Sequence, residues 1–139
     1  MNQDPVFEFS EHFDITFLLD LYQNDIDYAL DIFEFTLSHY PTALAELQVS
    51  VLENDWQNAA VFAHRLKADI RGLGLTQQGN KLGQLHNLII VENGKDIAAI
   101  NKLCHEIQFS LLSTVPIVCD EINRMKLYLD TYPPKIWNY

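Results

Sequence analysis

Basic residues are scarce in this chain: nine Lys and Arg stand against nineteen Asp and Glu, a formal net charge of −10 at pH 7. A surface with a pI of about 4.7 repels phosphate backbones and anionic headgroups, which argues against nucleic acid and against a membrane surface as partners. No apolar run approaches the roughly 20 residues of a spanning helix. The opening MNQDPVFEFSEHFD lacks the basic-then-apolar order of a secretory signal. Cysteine is nearly absent. Cys104 and Cys119 fall in one expected helix, more than about 20 Å apart along its axis, and cannot bridge. Reduced thiols acting as buried small apolar fillers, in a cytoplasmic protein, are therefore expected. Glycine and proline number five each, with no low-complexity stretch and no internal repeat, so the composition is globular rather than disordered. There is no Gly-rich phosphate-cradling loop and no Walker pattern, which leaves the chain no means of phosphorylating itself from ATP. The Glu-x-x-His pairs of a di-iron bundle are missing too. His64, His86 and His105 could converge in principle, but His105 reads as a solvent or core residue, so a metal site is not the expectation.

What the chain does have is helical periodicity throughout. Its 139 residues suit a single domain, and its own Met1 with a full set of helices suggests a free-standing protein. A first helix is expected at about 14–22, capped by Asp14, after an N-terminal arm at 1–12. A second runs from about 25 to 53, with acids in its first turn. Its apolar stripe comprises Ala29, Ile32, Phe33, Leu37, Leu44, Leu47 and Val51, and Pro41 predicts a kink or break. Phe33, Phe35 and Tyr40 read as core and first-helix contacts. Asn54 and Gln57 resemble a capping box opening a third helix at about 55–72, closed by a left-handed Gly74. Thr76 is a candidate cap for a fourth at about 77–92. A fifth, at about 96–130, is expected to bend near Pro116. The tail, 131–139, is expected to lie against the bundle through Ile136, Trp137 and Tyr139. The fold expectation is all-α: an antiparallel four-helix bundle with a short extra N-terminal helix as lid and a bent long C-terminal helix.

On the third helix, Ala59, Ala63, Leu66, Ile70 and Leu73 form a core stripe. His64 lies about 100° round from Ala63, at the edge of that stripe or outside it. Ala60, Lys67, Ala68 and Arg71 share its face. An imidazole among alanines, with a lysine one turn on, admits close approach by another protein and suits an anion on the ring. Asp69, about 140° round, should point away and could pair with Arg65 four residues earlier.

The string AHRLKADIRGLG, Ala63 to Gly74, resembles the signature of histidine-containing phosphotransfer (HPt) domains: Ala-His, Leu-Lys, small residues, then glycine ten positions after the histidine. The lead-in from Leu18 to Trp56 resembles that of the family in its short helix, polar turn, long proline-interrupted helix and Asp-Trp. The resemblance covers roughly residues 14–92, and the remaining long helix completes the family's bundle. It implies that His64 accepts and donates a phosphoryl group and that Lys67 neutralises its charge. Ala60, Ala68, Arg71 and Gly74 would form the docking face. It implies response-regulator receiver domains and a sensor or hybrid histidine kinase as partners. It also implies a Mg²⁺ held by the receiver, no cofactor on this chain, and a carrier rather than an enzyme. The family often has Gln or Glu about 22 residues past the histidine, bonding the other ring nitrogen. His86 stands there in this chain, with Gln84 near by. A neutral His86 can accept that bond and a protonated one cannot. Ala68 replaces the usual glycine, and Asp69 stands where small residues are usual. These departures keep open an alternative, a helical module that docks receivers without transferring phosphate.

Overall fold

A computed structural model describes residues 4–134. Among the described residues the chain is all-helical: α1 (Ile15–Tyr22), α2 (Ile26–Leu52), α3 (Trp56–Gly72), α4 (Thr76–Glu92) and α5 (Ile97–Thr131). Each boundary falls within a residue or so of the sequence expectation, because four helices open on an aspartate. Asp14, Asp25, Asp55 and Asp96 accept from the backbone N–H of Phe17, Tyr28, Asn58 and Ala99. Two cap assignments change. Asp55, not Asn54, caps α3, while Asn54 takes the left-handed turn (φ 57°) that Asn tolerates. Thr76 is the first residue of α4 and Leu75 occupies the cap without a side-chain bond. The Thr76 hydroxyl donates instead to Asp14 Oδ2 at 3.1 Å. The expected docking of Ile136, Trp137 and Tyr139 lies outside the described residues.

Neither proline divides its helix: α2 continues through Pro41 and α5 through Pro116. A proline removes one backbone bond, but the residues around it are locked in the core. Tyr40, Leu44, Thr114 and Val118 are all buried. Tyr40 OH and Thr114 Oγ1 meet at 3.2 Å, tying the two helices together beside both prolines.

The four long helices pack in a cycle. α2 touches α3 and α5, α4 touches α3 and α5, and α1 lies on α2. The α3 stripe of Ala59, Ala63, Leu66, Ile70 and Leu73 is buried as read. On α2, Ala29, Phe33, Leu44, Leu47 and Val51 are buried, whereas Ile32 and Leu37 are only partly covered. Phe35 is not core: it is 62% exposed and stacks on His39 at 4.3 Å. Two positions from buried Phe33, it points to the opposite side of the helix. Cys104 is buried, which pushes its thiol pKa up, but Cys119 is partly exposed rather than buried. No described helix is long and apolar enough to cross a membrane.

The segment before α1 is no loose arm. Phe7, Phe9 and Phe13 enter the core. The Ser10 N–H donates to Glu121 Oε2 at 2.7 Å, the Phe7 N–H to Asn24 Oδ1 at 2.9 Å, and Tyr128 OH to the Pro5 carbonyl at 2.7 Å. Glu121 is 1% exposed, and its charge is compensated by Arg124, which also bonds the Glu8 carbonyl.

Candidate functional site

The site is built on the seam between α3 and α4. Gly74 closes α3 with φ +74°; its N–H donates to Arg71 O at 2.9 Å and the Leu75 N–H to Ile70 O at 3.3 Å. So short a link sends α4 back along α3. Residues equidistant from Leu75 then face one another: Arg71 and Gly79, Lys67 and Gly83, His64 and His86, Trp56 and Gly94. The glycines of α4 are recesses for the long side chains of α3. A Cβ on Gly79 would stand 2.7 Å from Arg71 Cγ, and one on Gly83 3.4 Å from Lys67 Cδ. The stems of both cations therefore lie along α4 while their heads remain near the surface. The Arg71 Nη2 is held by Asn80 Oδ1 at 3.2 Å.

His64 is exposed, Lys67 half-buried, and Ala68 exposed beside them. The His64 and His86 rings lie 5.4 Å apart, tilted by 43°, and no hydrogen bond joins them. The bond from His64 to an orienting acceptor is thus not made, by His86 or by Gln84, which is exposed one helical position off the seam. Desolvation pushes the His86 pKa down, and the nearby His64 and Lys67 charges push it further. The Asn87 amide acts weakly the other way. Asp69 is exposed, and the charge acting on it is that of His39. Desolvation holds its carboxyl above the ordinary range while His39 of α2 pulls it back. The ion pairs among the described residues are Arg124–Glu121 and Lys126–Glu34, so Asp69 and Arg65 are not paired.

Beside His64 lies an open groove of about 680 Å³, lined mainly by apolar groups of Trp56, Ala60, Val61, His86, Ile89 and Ile90. Of the residues expected to dock a partner, Ala60 lines it. Gly74 does not belong to any docking face: it is buried beneath Leu18 of α1. The contribution of α4, above all Ile90 at 56% exposure, was missed. Equidistance from the Gly74 link is the signal that could have found it. The acidity of the chain is also uneven. Residues 56–92 hold Arg65, Lys67, Arg71 and Lys81 against Asp69 and Glu92, a charge of +2 within a chain of −10.

No group of three or more His, Cys, Asp or Glu among the described residues could hold a metal ion. The seam brings together the exposed His64 imidazole, the half-buried Lys67 and His86, and an apolar surface. No family model, curated protein or solved structure matches the chain.

Proposed function

We propose that the chain is a histidine phosphotransfer carrier, its four long helices arranged as an antiparallel bundle, relaying a phosphoryl group in a two-component phosphorelay. It takes the group from a receiver-domain aspartate or a hybrid kinase and passes it to a response regulator. The observation that carries this reading is the exposed His64 beside Lys67, at the rim of an apolar groove between two helices that carry a net +2 in an acidic protein. The neutral imidazole attacks phosphorus: one N–P bond forms at His64, one P–O bond of the aspartyl phosphate breaks, and the aspartate leaves as carboxylate. Transfer passes through a loose in-line transition state whose charge one ammonium can offset. Lys67, its stem aligned along Gly83, is that ammonium. Arg71 adds positive potential two turns from His64. Ala60, Ala68 and the groove receive the partner's apolar surface without obstruction. The partner receiver supplies Mg²⁺ and the aspartate, and the chain is a carrier in the cytoplasm rather than an enzyme.

The absence of an orienting hydrogen bond on His64 favours a second reading, a module that docks receivers without turnover. Incubation with acetyl-phosphate-charged receiver domains separates the two. Acid-labile label on the wild-type chain, lost in His64→Gln, supports the carrier. Tight docking with no label supports the docking module, and label persisting in His64→Gln removes His64 from the site.

A further inference from the structure

We infer that His86 is a proton-coupled positioning residue, neutral beside free His64 and protonated once His64 carries a phosphoryl group. The inference rests on the carrier reading. Its ground is geometric: the two rings face each other across the α3–α4 seam with centroids 5.4 Å apart, both at the rim of one groove open to solvent. The groups acting on His86 are His64 and Lys67 of α3 and Asn87 on its own helix. None comes from α5. In the free protein, the charges facing His86 are thus both cationic or potentially so, and they join desolvation in keeping it neutral.

Phosphorylation reverses that field. A phosphoryl group brings about −1.5 to −2 charges. Attached to a ring whose centre is 5.4 Å away, it acts on His86 well inside the screening length of about 8–10 Å. His86 then takes one proton from solvent and becomes a second cation, with Lys67, beside the phosphorylated ring. No bond beyond that N–H is made. By linkage, a state that binds an extra proton is favoured as pH falls, so the phosphorylated form gains between the two His86 titration midpoints. The non-acidic residue at this position thereby becomes a device: phosphoryl retention rises as the medium acidifies.

Imidazole NMR titration of the full chain, before and after charging with phosphoramidate, tests this, with the site of charge established by phosphorus NMR. An upward shift of the His86 midpoint on charging, absent in His64→Gln treated alike, is expected. In parallel, the equilibrium charged fraction against an acyl-phosphate receiver should rise severalfold from about pH 8 to about pH 6 in wild type, and less in His86→Gln. A charged His64 with an unmoved His86 midpoint overturns the inference and leaves the carrier reading standing. A chain that accepts no charge at His64 overturns both.

Discussion

The stem of Lys67 lies across Gly83, so close that a Cβ on that glycine would stand 3.4 Å from Lys67 Cδ. That is an ordinary contact with a flexible chain, and Gly83 sits inside a helix, where alanine is favoured over glycine by about 0.5–1 kcal/mol. Gly83→Ala is therefore expected to raise the thermal midpoint by about 2–5 °C. Gly79 differs: its Cβ would fall 2.7 Å from the Cγ of Arg71, near the root of that side chain. Gly79→Ala should gain nothing or destabilise. Calorimetry of both variants checks the recess model; equal gains would contradict it.

Gly74 carries a heavier constraint. Its φ is +74° and a Cβ would stand 2.8 Å from Leu18. Left-handed strain and overpacking together predict a loss of about 2–4 kcal/mol for Gly74→Ala in urea unfolding. Adding Leu18→Ala should remove only the packing share, so the double-mutant cycle is expected to show coupling between the two sites.

The Tyr22 hydroxyl donates to the Gly72 carbonyl at 2.8 Å, and burial pushes its pKa up to about 12. A phenol whose folded pKa is raised contributes stability that is complete below its ordinary value near 10. That contribution is lost as pH rises through the folded value of about 12. Tyr22→Phe should cost about 0.5–1.5 kcal/mol at neutral pH and should flatten the decline in stability between about pH 10 and 12. Buried Tyr40, raised in the same direction, retains part of that decline.

Adjacent residues on α3 should part company under mutation. Leu66 is 1% exposed, and Leu66→Ala is expected to cost about 2–5 kcal/mol. Lys67→Ala should change stability by no more than about 0.5 kcal/mol while slowing phosphoryl transfer strongly. Ala68→Leu should likewise leave the melting temperature in place and weaken receiver docking. Matched melting curves and transfer time courses read all three.

The local elements were legible because their determinants are local. Asp14 and Asp25 announce helix starts, Gly74 a left-handed stop, and the Ala59-to-Leu73 spacing places His64 outside the core. The misread features depend on what lies opposite. A break at Pro41 was one expectation because the Tyr40–Thr114 contact that ties α2 to α5 there cannot be seen along the chain. Gly74 looked like docking surface because nothing near it in sequence announces Leu18. Phe7 looked like part of an arm because two of its partners, Arg124 and Tyr128, lie more than a hundred residues away.

By itself the sequence determined where each helix begins and ends, which stripe of α3 goes inward, and which imidazole is left at the surface. Those outcomes follow from dihedral preference and from the 3.6-residue period, which act within a turn or two. Only the tertiary structure decided that His86 faces His64 without bonding it, that glycines of α4 seat the cations of α3, and that the groove beside the imidazole is half made by Ile89 and Ile90. Those relations arise when separate helices are pressed into van der Waals register, a condition set by the whole packed core and by no single stretch of chain.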